Sequence, residues 1–157
     1  MKQKILYLMC GCPGSGKSHW AKEVKDAVIV SRDEIRFNLL KDGEDYFAHE
    51  EEVVDTFIQD LNAAIATNDV IIADATHMSE KSRNATLNKL ALDDVAIIPV
   101  SFELPLNKVL KQNDFRTGRA FVPKSVVRRM HAQYIPPSNT EKYKYEKIIT
   151  IKENDEK

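Results

Sequence analysis

Apolar residues along this chain fall into two alternating patterns: short unbroken runs, and stripes spaced three and four residues apart. "KILYLM" at 4–9 is a continuous run leading into Gly11, as expected of a strand covered on both faces. "AVIV" at 27–30, "VIIAD" at 70–74 and "VAIIPVSFE" at 95–103 share that character, and "YEKIITI" at 145–151 is a weaker fifth case. Between them, residues 46–67 carry Val53, Val54, Phe57, Ile58, Leu61 and Ile65 at helical spacing, with acidic "HEEE" near the start, where the helix dipole favours negative charge. Residues 79–91 predict a helix capped by Ser79, with Ser82 three positions on giving no capping box. Residues 105–115 and 123–134 predict two more, the second with Pro123 in its first turn, a stripe of Val126, Val127, Met130 and Tyr134, and a stop at "IPPS". Buried strands alternating with helices predict an α/β fold: a parallel sheet of about five strands, wound on both faces by right-handed crossovers.

Composition adds limits to that picture. At 157 residues and 43% hydrophobic content, with no repeat and no Gly/Ser-rich linker, one domain over 1–157 is expected. Lys and Arg number 23 against 24 acids, so no global field draws the chain to long nucleic acid or to an anionic membrane, and any anion must be recognised locally. The apolar runs are strand-length, far short of the roughly 20 residues that span a bilayer, and no basic leader with a cleavage site precedes them. A soluble, cytoplasmic protein with no membrane partner is therefore expected. Cys10 and Cys12 are too close in sequence to staple distant segments, and a lone CxC lacks the further ligands that a metal site needs.

The chemistry begins at "GCPGSGKS", residues 11–18, which fits G-x4-G-K-[ST] between a strand and a helix, "KSHWAKEVKD". Four specified positions coincide by chance in only roughly one chain of this length in a few hundred. Its glycines let backbone N–H groups converge on phosphate, Lys17 offers a point charge to the β- and γ-phosphates, and Ser18 offers a hydroxyl to magnesium. Gly11, Cys12, Pro13, Gly14, Ser15, Gly16, Lys17 and Ser18 are thus the expected nucleotide-binding residues. Cys12 within them is placed where oxidation would block ATP. The strand "VIIAD" ends in Asp74 followed by Ala75, lacking the Glu of a hydrolytic motor, and "NKVL" at 107–110 lacks the Asp of a guanine-reading N-K-x-D. What remains is phosphoryl transfer, which asks for a carboxylate to take the acceptor's proton and for cations beside the transferring group. "VSRDEIRFNL" at 30–39 offers Asp33 and Arg36 on one helix face just after the second strand; Ser31 doubles as a helix cap. "NDFRTGRAFVPKSVVRRM" reads as a small lid over about 111–122 whose Arg116 and Arg119 close over the γ-phosphate, a solvated basic loop being the alternative. Of the histidines, His77 follows Asp74 and Thr76 at the mouth of the crevice and is a candidate acceptor contact; His19, His49 and His131 read as surface or edge residues. Trp20 is expected to pack its helix on the sheet.

GCPGSGKSHWAK followed by SRDEIR resembles the kinase module of the polynucleotide 5′-hydroxyl kinase family. The resemblance implies a three-layer P-loop kinase fold with a helical lid, ATP and Mg2+ held by Lys17 and Ser18, Asp33 as general base, and Arg36 on the phosphate next to the acceptor hydroxyl. "VIIADATHMSEKSR" is similar to the family's acceptor-lining segment, with Asp74 and Thr76 at the matching positions and Ala75 where some members have Thr. The family's lid arginines match Arg116 and Arg119. The implied partner is a nucleic-acid 5′ end, for which Arg36, Arg83 and Arg128 are candidate phosphate contacts. Kinases with the same loop also act on nucleosides, sugars and nucleotide-sugars, so a small-molecule kinase is the rival reading and a non-catalytic ATP-gated module a third.

Overall fold

The computed structural model describes residues 3–115 and 122–152; Arg116 and Arg119 lie outside the described residues. Five strands form where the sequence is apolar on both faces: β1 (Lys4–Cys10), β2 (Val28–Ser31), β3 (Val70–Asp74), β4 (Val95–Phe102) and β5 (Ile149–Ile151). They make one sheet in the order β2-β3-β1-β4-β5 with every pairing parallel. The helices are α1 (Lys17–Lys22), α2 (Arg32–Leu39), α3 (Glu50–Thr67), α4 (Glu80–Leu87), α5 (Leu106–Asp114) and α6 (Lys124–Gln133).

Alternation along β1 divides the core in two. Leu6, Leu8 and Cys10 join Phe57 and Leu61 of α3 and Leu87 of α4 on one face, while Met9 joins Ala21 of α1, Val109 of α5 and Val127 of α6 on the other. Helices therefore cover both faces, as the unbroken apolar runs require. Trp20 packs edge-on to Tyr7 at 5.3 Å and to Phe102 at 6.4 Å, which docks α1 on the sheet. Pro99 has no N–H to give, and it sits in β4 one residue before β5 joins at Val100. No helix among the described residues is long and apolar enough to cross a membrane.

Three local expectations change. First, α3 begins at Glu50 rather than 46, because Asp45 turns its carboxylate back to the Phe47 N–H at 3.1 Å and Tyr46 leaves the helix path to reach α2. Second, α4 does carry a capping box: Ser82 Oγ accepts from the Ser79 N–H at 3.0 Å, and Ser79 Oγ accepts from the Ser82 N–H at 3.2 Å. A serine hydroxyl thus replaces the longer carboxylate. Third, β5 is only three residues long, since Tyr145 turns into the core under a hydrogen bond to Glu141 and leaves only the Glu146 N–H bonded to Ile97 ahead of the ladder.

The largest correction to the expected site concerns the segment after β3. His77, expected at the acceptor, is 1% exposed and takes a left-handed φ of 41°. Its Nδ1 bonds to the Met9 carbonyl at 2.8 Å and its Nε2 to Thr86 Oγ1 at 3.0 Å. Arg83, expected on a phosphate, is fully buried: Nη1 donates to the carbonyls of His77 and Ile135, both at 2.9 Å, and Nε and Nη2 grip Glu141 at 3.1 and 2.6 Å. Both side chains are spent inside the protein, where they fasten residues 135–145 against the end of β3. They support the crevice from beneath and present nothing to a bound acceptor.

Glu141→Gln leaves a buried guanidinium without its counter-charge, and breaking such a pair costs about 3–5 kcal/mol. A urea titration should show that loss, and the double variant Arg83→Met/Glu141→Leu should recover part of it. Burial, followed by the positive charge of Arg32, lowers the His77 pKa from 6.5 to about 3. Below pH 6.5 the unfolded chain takes up a proton that the folded chain refuses, so the contribution of His77 is complete above pH 6.5 and fades as pH falls toward 3. Wild type should lose about 2 kcal/mol between pH 7.5 and pH 5 from this group alone, and His77→Gln should lack that increment in denaturation at the two pH values.

Candidate functional site

β1 ends against Gly11, whose N–H donates to the Thr76 carbonyl at 2.8 Å, so the loop 11–18 starts locked to the segment that follows β3. Two glycines have no substitute there. A Cβ on Gly11, at φ 154°, falls 2.9 Å from the Phe102 Cβ and 3.0 Å from Ser15 Oγ, and one on Gly14, at φ 82°, falls 2.9 Å from the Val109 carbonyl oxygen. Lys17 Nζ curls over the loop and donates to the carbonyls of Gly11 and Cys12, both at 3.0 Å. Ser15 is 1% exposed, yet its Oγ has no hydrogen-bond partner among the described residues. A buried hydroxyl without a partner costs stability unless a ligand completes it. The cradle with no room for Cβ atoms, the orphaned Ser15 hydroxyl, the Lys17 ammonium and the exposed Ser18 together fit a nucleotide's phosphates. No group of three or more His, Cys, Asp or Glu among the described residues could hold a metal by itself, so a cation here would rest on Ser18 and phosphate oxygens.

Cys12 departs from its expected role as an oxidation point. It is 2% exposed, packed in the α1/α5/α6 half of the core, and burial raises its pKa despite the opposing charge of Lys17. The thiolate that oxidants attack is therefore scarce.

Across the carboxyl edge of the sheet, Ser31 pairs in register with Asp74, which sets the start of α2 beside the end of β3. Ser31 Oγ caps the helix by accepting from the Glu34 N–H at 3.2 Å. Asp33 in the first turn is half exposed, and its Oδ1 receives Arg36 Nη1 at 2.5 Å and the Tyr46 hydroxyl at 3.2 Å. Oδ2 has no hydrogen-bond partner among the described residues, so one oxygen is anchored and the other open. Arg36 is nearly buried and is clamped from its other edge by Glu50, Nε to Oε2 at 3.1 Å and Nη2 to Oε1 at 2.7 Å. Its guanidinium also lies 4.6 Å from the centre of the Tyr46 ring. Burial, then the neighbouring Asp33 carboxylate, pushes the Tyr46 hydroxyl up to about 12, so it remains a hydrogen-bond donor.

The structure thus joins Asp33 and Arg36 as their spacing predicts, but the guanidinium expected to face a phosphate is already held by Glu50 and Asp33. Glu50 and Tyr46 are the residues that sequence reasoning missed. Glu50 reads in sequence as a helix-dipole acid, and no spacing rule links it to a residue fourteen positions earlier. Asp74 and Thr76 lie at the same edge, both half-buried, whereas Arg128 is exposed on α6. Arg32 turns away from Asp33, its guanidinium 4.6 Å from the centre of the Phe57 ring.

Comparison with known proteins places this geometry. A chain of the Pnkp1/Rnl/Hen1 RNA repair complex superposes with a TM-score of 0.71 at 26% identity, over 85% of this chain and 44% of that one. The chain therefore spans less than half the length of that repair-complex subunit. A fungal RNA kinase superposes with a TM-score of 0.61 at 11% identity, over 100% of this chain and 78% of that one. A gluconokinase from Sinorhizobium meliloti 1021 gives 0.60 at 13% identity, over 97% and 84%. The last two likenesses speak to fold alone. No curated protein sequence matches the chain. The AAA domain model AAA_33 matches residues 6–137, and the chain belongs to that family, as a P-loop kinase-type domain.

Proposed function

We propose that this domain transfers the γ-phosphate of ATP to the 5′-hydroxyl end of a polynucleotide or oligonucleotide. The observation that carries the reading is Asp33: a half-exposed carboxylate at the carboxyl edge of the sheet, one oxygen fixed by Arg36 and Tyr46 and the other open to a hydroxyl's proton. Lys17, released from the Gly11 and Cys12 carbonyls, neutralises the phosphates, and the Ser15 hydroxyl donates to one of them. Ser18 would hold a magnesium ion, which would supply charge neutralisation for the phosphates. Asp33 Oδ2 accepts the acceptor's proton as its oxygen attacks, while Arg36 and Tyr46 hold Oδ1 and so keep the carboxylate aimed. Arg116 and Arg119, outside the described residues, are the arginines assigned to balance charge on the transferring group.

The likeness to a repair-complex subunit at 26% identity supports a nucleic-acid acceptor. A small-molecule acceptor is the second reading. Glu50, Glu51, Glu52 and Asp55 line a hollow beside Arg36, and so acidic a wall repels a second or third phosphate. A strand end that offers a single phosphate is compatible with that wall, and a long duplex is not.

Labelled ATP offered with magnesium to 5′-hydroxyl DNA, 5′-hydroxyl RNA, nucleosides and sugars tests the reading directly. Label is expected on the polynucleotides, and label confined to nucleosides or sugars would sink it. Asp33→Asn should lower kcat about 10²- to 10⁴-fold while leaving ATP affinity within about twofold, as loss of a general base does. Lys17→Ala should weaken ATP binding itself.

A further inference from the structure

Two aromatic rings stand at the lip of the crevice with no role in the fold that accounts for their exposure. Phe47 is 64% exposed and Tyr46 is 41% exposed, on the irregular segment that leads into α3. They are not a loose surface patch. The Tyr46 hydroxyl donates to Asp33, the Arg36 guanidinium lies over its ring, and Phe37 meets it edge-on at 6.4 Å. Phe47 in turn stands at 85° to Tyr46 with ring centres 4.7 Å apart. Contacts therefore run without a break from the open face of Phe47 to the carboxylate proposed as base. The segment is braced as well: Asp45 caps the Phe47 N–H at 3.1 Å, and His49 bonds to the Glu44 carboxylate at 2.9 Å.

We propose that the Phe47 face, buttressed by Tyr46, is a stacking platform for the nucleobase of the acceptor's 5′-terminal nucleotide, and that it makes this acceptor site selective for a base-bearing end. The inference rests on the polynucleotide reading above and deepens it. Charge decides the occupant's chemistry. Glu44 and Asp45 immediately precede the two rings in sequence, and Glu50, Glu51, Glu52 and Asp55 line the hollow that begins at Ala48, so a negatively charged group is disfavoured on the platform. A phosphate is repelled there, whereas an uncharged flat ring is not. Stacking on an aromatic side chain accepts any base, because every base has a π-face, and it is a recurrent means of holding single-stranded ends. An exposed phenylalanine linked through Tyr46 to the proposed base thus offers its open face to the substrate. Recognition at this end is then divided by position: Asp33, steadied by Arg36, meets the sugar hydroxyl, and Phe47 meets the base.

The test compares 5′-hydroxyl oligonucleotides whose terminal nucleotide carries its base or is abasic, using the full chain with ATP and magnesium. For wild type, KM for the abasic end should be about 10-fold above that for the intact end, with kcat little changed. Phe47→Leu keeps an apolar side chain but removes the ring, and should raise KM for the intact end about 10-fold while leaving the abasic end unaffected, so that the discrimination disappears. Phe47→Trp should restore it. Tyr46→Phe keeps the ring and removes the bond to Asp33, so it should lower kcat while preserving the preference for an intact end. Transfer that is indifferent to both the missing base and Phe47→Leu overturns this inference alone. Failure of wild type to label any 5′-hydroxyl end overturns the polynucleotide reading and this inference with it. A change in sedimentation for Phe47→Leu with unaltered KM ratios identifies the ring as a contact between copies and also overturns the proposal.

Discussion

The site hangs on a parallel junction at the middle of the sheet. β1 lies between β3 and β4, and where it ends the Gly11 N–H reaches across to the Thr76 carbonyl at 2.8 Å. That bond forces the loop to leave the sheet where the chain order reverses, the position at which open parallel sheets bind ligands. Everything else is arranged about it. Phe102 and Val109 press on Gly11 and Gly14 so closely that no side chain fits, and the register of Ser31 with Asp74 brings α2 to the same edge. A phosphate cradle and a carboxylate from segments far apart in sequence are thereby set on one rim.

Beneath that rim the protein uses charge as structure. Arg83 and Glu141 bury an ion pair whose remaining donors and acceptors are taken by the His77 and Ile135 carbonyls, the Ser138 N–H and the Tyr145 hydroxyl. Such saturation is what makes a buried pair tolerable, since each group that leaves water must find a partner. At the rim itself the saturation is deliberately incomplete. Ser15 has an orphaned hydroxyl and Asp33 an open oxygen, and both face the place where substrate is expected. Arg36 stands between the two regimes, nearly buried and clamped by Glu50, so its charge acts chiefly through the carboxylate it holds.

The elements that were legible in sequence are those with a strong local cause. β3 and α5 came within a residue of their expected limits because a doubly buried strand and a striped helix each follow from the chain's own periodicity. The start of α3 and the length of β5 did not, since Tyr46 and Tyr145 obey distant partners, Asp33 and Glu141, instead of their neighbours. The capping box at Ser79 was missed because the usual sign is a Glu or Gln at the third position, and the shorter Ser82 makes the same bond. Arg83 and His77 were misplaced for a similar reason: position after a strand end says that a residue is near the crevice, not which way its side chain turns.

The amino-acid sequence by itself determined the strand–loop–helix that binds phosphate, the α/β alternation and the pairing of Asp33 with Arg36, because each depends on contacts within a few residues. Only the tertiary structure decided which polar groups face the crevice and which support it. Arg83 and Arg36 are both arginines near strand ends, yet one is sealed under residues 135–145 by Glu141 and the other is turned by Glu50 to steady the Asp33 carboxylate. That choice is made by counter-charges 58 and 14 residues away, and desolvation enforces it: a guanidinium leaves water only where folding has already brought a carboxylate to meet it.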